Sequence, residues 1–598
     1  MNEVIVGIDL GTTNSEVAVV REGRVEVIPV SGFDRILPSV VGIADDGALL
    51  VGQAARNQYV LHPDRTVRSV KRRMGEAARV AMGDKDYAPQ EISAMILHRL
   101  KTLAEAHLGH AVTKAVITVP AFFSDAQRQA TREAGEIAGL EVARILNEPT
   151  AAALAYESRH QGARKALVYD LGGGTFDVSV VNLEADVVEV LASHGNNHLG
   201  GDDFDQKIVE FVLDHLEQTY GVDASQTPTA MARLRRAAEA AKIELSDAPY
   251  ATLAEEFLLE HEGAPLHLVL EISRENYEAM IEPYIEETLN TIHTALSSAG
   301  LGASDIQEIL LVGGATRTPL VARRIEQALG MQPRGEVNPD LCVAMGAAIQ
   351  GALIADAGAG ARTVLIDITP YTFGTSALGE FEGEEYTHCF VPLIRKNTPI
   401  PVSKSDVFYT VFDGQKIVDV SVFQGEDRDA LNNIQIGHFM VEGLRGAPAG
   451  NPVVLQFSLD INGILQVTAR EKQSGLEQSI TIENVIARFD REKIDAARDR
   501  VQALFGEPVD PARPARIGGS AQPADPSSAA AGDARRLRVE ARALVEKAER
   551  MLANASAENA EDLVDAMEAL KDALPGQDDA LLKTGMDQLA DLLYYLEA

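Results

Sequence analysis

A chain of 598 residues exceeds what one hydrophobic core can organise, so roughly three to five domains are expected. With 46% hydrophobic and 24% charged residues it has the balance of a folded soluble protein, and a net charge of −35 argues against a nucleic-acid groove, which needs clustered Lys and Arg. The two cysteines, Cys342 and Cys389, offer neither a disulfide framework nor a zinc knuckle, the N-terminal run lacks a basic leader, and no apolar run approaches the roughly 18 residues of a membrane span. A cytoplasmic protein without nucleic-acid or membrane partners is expected.

Along residues 1–360, short β-rich runs such as "EVIVGIDLG", "KAVITVPA", "KALVYDLGGG" and "EILLVGG" alternate with helical stretches, the pattern of α/β layering. Two levels of repetition run through this region. "IDLGTTNSEVAVV" (8–20) aligns without a gap on "YDLGGGTFDVSVV" (169–181), placing Asp9 on Asp170 and Gly11 on Gly172. Further on, "AVITVPAFFSDAQRQATREAGEIAG" followed by "NEPTAAALAY" has a counterpart in "EILLVGGATRTPLVARRIEQALG" followed by "NPDLCVAMGAAIQ". The region therefore reads as two halves of like plan, each opening with an Asp-Leu-Gly hairpin.

After "ADAGAGAR" comes the apolar stretch "TVLIDITPYTFG", read as a linker over 361–370. Period-two runs with turn signals then predict an antiparallel β-domain over 371–487, with Asn462-Gly463 as a hairpin turn. A helix is predicted over 488–507. A Pro/Gly/Ser/Ala-rich stretch over 508–533 reads as a disordered linker, and amphipathic spacing over 534–598 predicts a small helical bundle.

The chemistry concentrates in the repeated hairpins. A strand ending in Asp and running into small residues presents backbone N–H groups to a phosphate and a carboxylate to Mg²⁺. A lone Asp-Leu-Gly-Gly is equally well a plain hairpin turn; two facing copies read as a clamp on a polyphosphate. No Gly-Lys dipeptide and no strand-linked Gly-x-Gly-x-x-Gly offers a competing nucleotide loop.

At these residues the chain resembles a known family. "VGIDLGTTNS", "VITVPAFFSDAQRQAT", "NEPTAAALAY", "YDLGGGTFDVS", "HLGGDDFD" and "ILLVGGATRTP" resemble the nucleotide-binding domain of the DnaK-type 70-kDa heat-shock chaperones, within the actin and sugar-kinase superfamily. The resemblance covers at least residues 3–490. It implies a two-lobed α/β ATPase domain, then an antiparallel β-sandwich, then an α-helical lid bundle, in a chaperone that couples ATP hydrolysis to binding and release of unfolded client polypeptides. By the same resemblance Gly11, Thr12, Thr13, Asn14, Gly172, Gly173, Gly174 and Thr175 contact phosphates, and Asp9 and Asp170 hold Mg²⁺ largely through water, with K⁺ as a further candidate ion. Lys71 reaches the γ-phosphate and the attacking water, which Glu148 and Thr175 help orient with Asp177 nearby. Glu239, Lys242, Ser246, Gly313, Gly314, Arg317 and Asp340 hold the ribose and adenine of ATP or ADP. By spacing alone Lys71 is a surface lysine in a basic run, and Glu239 and Lys242 are an ordinary helical pair.

The resemblance also assigns Val364, Leu365 and Ile366 as an exposed linker strand with Asp367 as its acidic element, although the same residues serve equally as a first strand of the β-domain. Arg144 and Asn147 match positions that receive a J-domain co-chaperone, and Pro120 and Arg128 match positions that relay the nucleotide signal. A nucleotide exchange factor is a further implied partner. Leu378, Phe408, Val411, Val418 and Val420 fall near the family's peptide groove, which takes extended segments through backbone hydrogen bonds and a hydrophobic pocket. In two departures from the typical pattern the chain resembles the shorter HscC-type branch: the stretch between Arg72 and Ala88 is short, and the lid is interrupted by the Pro/Gly-rich linker. A small-molecule kinase and an actin-like filament former are alternatives within the superfamily; the appended β-region speaks against both.

Overall fold

Near-continuous apolar runs of Val, Ile and Leu suit strands covered on both faces by helices. In the computed structural model of the protein, Ile5–Leu10 (β1), Asn14–Arg21 (β2), Arg24–Val27 (β3), Lys114–Val119 (β4) and Glu141–Asn147 (β5) lie in the order β5-β4-β1-β2-β3, and the short strand Leu37–Pro38 pairs with β2. The structure describes residues 4–157, 162–184, 187–334, 338–355, 364–442, 444, 448–471, 477–481 and 491–506, together with a few isolated positions beyond. β1 and β2 form an antiparallel hairpin, and β4 joins β1 in parallel. Pro89–Leu108 (α1), Asp125–Ile137 (α2) and Glu148–Glu157 (α3) complete this half.

The second half repeats the plan. Arg164–Leu171 (β6), Phe176–Glu184 (β7), Val187–Asn196 (β8) and Glu308–Val312 (β9) run in the order β9-β6-β7-β8, with β6–β7 antiparallel and β9 parallel to β6. β6 thus stands where β1 stands, and β9 where β4 does. Gly201–Tyr220 (α4), Pro228–Asp247 (α5) and Arg274–Ser298 (α6) belong to this half, whereas Cys342–Ala355 (α7) crosses back and packs on β1 and β2 of the first sheet. α3 and α7, which the sequence repeat pairs, pack on each other so closely that a Cβ on Gly346 would lie 1.7 Å from the Ala151 carbonyl oxygen. Only glycine permits that backbone contact.

The linker strand Val364–Ile368 (β10) extends the second sheet, pairing in parallel with β8 through Val187↔Val364, Val188↔Leu365 and Glu189↔Ile366. It also pairs with Pro399–Ile400, so one strand serves both the sheet of the second half and the domain that follows. Beyond it, Phe373–Phe381 (β11), Glu384–Ile394 (β12), Val402–Tyr409 (β13), Ile417–Gln424 (β14), Ile434–Glu442 (β15), Pro452–Leu459 (β16), Leu465–Glu471 (β17) and Glu477–Thr481 (β18) make two four-stranded sheets, β12-β11-β14-β15 and β13-β16-β17-β18. Their alternating apolar residues, among them Val420, Val422, Phe457, Leu465 and Val467, close a shared core. Asn462 and Gly463 form the β16–β17 turn, with Gly463 at φ +76°.

The helix expected over 488–507 is observed as Arg491–Leu504 (α8). Its Ile494, Ala497 and Val501 join the core of the first half, and Arg500 reaches the buried Glu91 of α1 at 2.5 Å. The chain separates into two compact units, Met1–Pro514 and Ala515–Ala598. Of the second, only Ala566, Met567, Lys571, Gly585 and Leu589 are described, all helical. The linker and bundle expected over 508–533 and 534–598 otherwise lie outside the described residues.

Candidate functional site

The two Asp-Leu-Gly hairpins face one another across the cleft between the halves. A Cβ added at Gly173 would lie 1.9 Å from Thr13 Oγ1, so the second turn can sit against the first only because it carries no side chain there. Within the second turn, Gly172 N–H donates to the Thr175 carbonyl at 3.0 Å. The N-terminal amides of α4 hold the turn from behind: Gly201 N–H donates to Gly172 O at 2.9 Å and Asp202 N–H to Gly173 O at 2.7 Å.

Each hairpin carries a cross-strand pair of acids, Asp9 opposite Glu16 and Asp170 opposite Asp177. Directly opposed antiparallel residues share a face, so the cleft floor collects four carboxyl groups. Lys71 and Glu148, both buried, form an ion pair across it at 2.5 Å. Thr118 Oγ1 donates to Asp9 at 3.0 Å, and Asp177 accepts from the amides of Ala121 and Phe122 at 3.0 and 3.2 Å. Loss of solvent, and then the neighbouring Glu148, push Asp9 up to about 7 despite Lys71. The same two causes push Asp177 up to about 8. Asp170 lies well above its ordinary range through burial and the charges of Glu148, Asp177 and Asp9, and Glu16 does so through burial, Asp9 and Asp340. Buried carboxylates crowded in this way are relieved by a cation.

The residues fit Mg²⁺ bound with phosphate. Among the described residues Asp170 Oδ2 and Thr13 Oγ1 are buried with no hydrogen-bond partner. The donors are all oxygens, as Mg²⁺ prefers. No group of three or more His, Cys, Asp or Glu among the described residues makes an all-protein cage. Such a metal would therefore complete its shell with water and phosphate oxygens.

The residues expected around the nucleoside line the other side of the cleft. Lys242 pairs with Asp205 at 2.8 Å and donates to Gly201 O at 3.1 Å, and Ser246 Oγ donates to Lys242 O. Arg317 pairs with Asp340 at 2.7 Å, beside Gly314. Gly313 N–H donates to Pro339 O at 3.0 Å. Glu239 meets Arg56 of the opposite half at 2.9 Å. A cavity lined by Thr12, Thr13, Arg56, Tyr59, Arg68 and Glu239 adjoins the first turn. Sequence reasoning missed Glu16, Arg56, Tyr59 and the acids Asp202 and Asp203; the gapless hairpin alignment already set Glu16 on Asp177.

The expected signalling residues converge at the seam between the halves and the sandwich. Arg128, buried, donates to Asn147 Oδ1 at 2.7 Å and Ala121 O at 2.9 Å; Asn147 Nδ2 donates to Asp367 Oδ2 at 2.8 Å. Arg144 lies close enough to Asp367 to favour its charge, although burial raises that carboxyl overall. Pro120 follows β4, its carbonyl accepting from Phe123 N–H at 3.2 Å. The sandwich adds Asn462, whose side-chain oxygen accepts from Ile145 N–H at 3.0 Å, and Tyr371, whose hydroxyl donates to Phe122 O at 2.7 Å. The exposed-strand expectation is corrected: Val364 is 54% exposed, but pairing to β8 leaves Leu365 and Ile366 half-buried, and Asp367, paired with Ile400, is buried.

In the sandwich, Leu378 and Val411 are exposed, at 42% and 58%. Phe408 and Val418 are half-buried against the core. Val420 is 1% exposed inside that core, which places it within the wall and not on an open groove. β14 alternates its side chains, and Val418, Val420 and Val422 point to its inner face.

The family model described as Hsp70 protein matches residues 5–82 and 76–597. The chaperone protein DnaK of Thermotoga petrophila is 48% identical over 486 residues, covering 80% of either chain. Those of Thermotoga neapolitana and Thermotoga maritima are 49% and 48% identical over the same length and share of each chain.

Proposed function

The chain belongs to the Hsp70 family and is an ATP-driven chaperone of DnaK type; from that premise we propose how its residues divide the work. The ATPase domain spans 1–360, the linker 361–370, the peptide-binding sandwich 371–487 and the lid elements the remainder. ATP lies between the hairpins, its phosphates against the amides of Gly11, Thr12, Thr13, Asn14, Gly172, Gly173 and Gly174. Glu239, Lys242, Ser246, Gly313, Gly314, Arg317 and Asp340 take the nucleoside. Asp9 and Asp170 would hold Mg²⁺ through water, with K⁺ as a companion ion. When bound, the metal neutralises phosphate charge.

Lys71 brings a positive charge to the γ-phosphate, which suits a transfer governed by positioning and charge and not by covalent chemistry. Glu148, Thr175 and Asp177 orient the attacking water, Glu148 being fixed by its ion pair with Lys71. The nucleotide state passes through Pro120, Arg128, Asn147 and Asp367 to the linker strand, and from there to the sandwich, where Leu378, Phe408, Val411, Val418 and Val420 form the groove and its backing. A J-domain co-chaperone engages Arg144, Asn147 and the linker, a nucleotide exchange factor reopens the cleft, and the setting is the reducing cytoplasm.

The facing hairpins with their buried Lys71–Glu148 pair carry this reading. Its test is steady-state ATP turnover in Mg²⁺ and in chelator, with and without an unfolded peptide. Slow turnover that needs Mg²⁺ and rises with peptide supports it; turnover indifferent to both contradicts it.

A further inference from the structure

The segment that carries Lys71 also grips the opposite half. Within Val70–Arg73, the Arg72 guanidinium donates from Nε to the Gly174 carbonyl at 3.1 Å and makes a two-pronged ion pair with Asp203. Next to it, Ser69 Oγ donates to Asp202 Oδ2 at 2.5 Å and Arg68 stands 3.5 Å from Asp202. Asp202 and Asp203 are the second and third residues of α4, and Asp203 also accepts from the Gly200 amide at 2.8 Å.

The three glycines of the second phosphate turn have all their carbonyls tied. Gly172 O and Gly173 O are held by α4 amides of their own half, whereas Gly174 O is held by Arg72, from the other half. A tied carbonyl fixes the peptide plane, and with it the direction of the N–H on the following residue. For Gly174 that residue is Thr175, which the functional reading places beside the attacking water.

We propose that Arg72, clasped to Asp203, is a positioning residue that orients the Gly174–Thr175 peptide only when the cleft is closed, so that hydrolysis is licensed by closure. This rests on the ATPase reading above and adds to it a cross-cleft device outside the nucleotide's own contacts. Arg72 reaches both acceptors because its donors are spread over a planar fork; a lysine presents a single ammonium and can satisfy only one at a time. Opening the cleft separates Arg72 from Asp203 and Gly174 together.

The test is single-turnover ATP hydrolysis and release of a fluorescent ADP analogue in the full chain, for Arg72→Gln, Arg72→Lys, Asp203→Asn and the Arg72→Gln/Asp203→Asn double variant. Loss of one charge-assisted, two-acceptor contact is expected to slow hydrolysis at saturating ATP about tenfold in Arg72→Gln and to speed ADP release by a similar factor. Arg72→Lys should keep ADP release near the wild-type rate while hydrolysis stays slow, a split that simple destabilisation does not produce. The double variant should be no slower than Arg72→Gln, because both substitutions break one clasp. Wild-type hydrolysis in Arg72→Gln, or losses that multiply in the double variant, would overturn the proposal. If Arg72→Gln fails to fold, Arg72→Lys and Asp203→Asn decide by the same two rates. The wild type in parallel separates the questions: a wild-type chain that hydrolyses no ATP refutes the functional reading itself, whereas normal turnover in Arg72→Gln refutes the clasp alone.

Discussion

Asn147 donates to the Asp367 carboxylate at 2.8 Å, and its own carbonyl accepts from Arg128 at 2.7 Å. One amide side chain thus joins the end of β5 in the ATPase half, the N-terminal part of α2 and the linker strand. All three residues are buried. Removing one partner of such a network leaves the others unpaired, which costs more than the bond itself is worth.

Replacing Lys71 by Ala removes the cation paired with Glu148 and leaves that carboxylate without it in a site already crowded with acids. Turnover should fall at least about a hundredfold while ATP binding survives, since the hairpin amides remain. Single-turnover hydrolysis beside equilibrium nucleotide binding checks both halves of this statement.

Gly173→Ala introduces a methyl group into the space that Thr13 Oγ1 occupies. The two turns are forced apart, so ATP affinity should drop about tenfold or more, with little change in the melting of the sandwich. Calorimetric ATP titration and differential scanning calorimetry of the same variant give both readings.

Asp125, 2% exposed where α2 meets the sandwich, makes the seam sensitive to pH. Burial raises it to about 7, while the Leu465 amide and Arg128 pull it down and Asp460 pushes it up. An exposed Asp titrates near 3.9. The docked state therefore holds the proton more tightly, and its contribution to docking is full below about pH 4 and lost as pH rises through about 7. Docking should strengthen about tenfold from pH 8 to pH 6. His194, which burial and then Lys396 hold below its ordinary value against the pull of Glu426, works in the opposite direction. Energy transfer between probes on the two domains should show the dependence in the wild type and lose most of it in Asp125→Asn.

Asn462→Ala deletes the acceptor for the Ile145 amide at the tip of the β16–β17 turn. An unsatisfied buried amide costs about 1–3 kcal/mol, so the docked population should fall while the isolated sandwich's own stability barely moves. Protease cleavage in the linker segment, slow in the wild type, should quicken about tenfold.

Most of the architecture was legible because it is written in local periods. Gapless alignment of "IDLGTTNSEVAVV" on "YDLGGGTFDVSVV" pointed to the facing hairpins, and "ILLVGGATRTP" repeating "VITVPAFFSDA" anticipated that β9 stands where β4 does. The site residues that resemblance reached are those carried by long motifs. Contacts made across the fold escaped: nothing in the spacing joins Arg72 to Asp203, Asn462 to Ile145 or Glu91 to Arg500, because each pair is brought together by folding and not by a period. Val420 illustrates a different limit. Alternation along β14 separates two faces, but only the position of the second sheet decides which face is core.

ATP in the cleft should alter the grip of the sandwich on peptide by way of the Asn147–Asp367 contact. Release of a bound fluorescent peptide on adding ATP, compared in the wild type and in Asp367→Ala, tests it most directly. ATP should speed release in the wild type and leave it unchanged in Asp367→Ala, which still hydrolyses ATP. Release from the wild type at the same rate with and without ATP would rule out this coupling, whatever the ATPase activity.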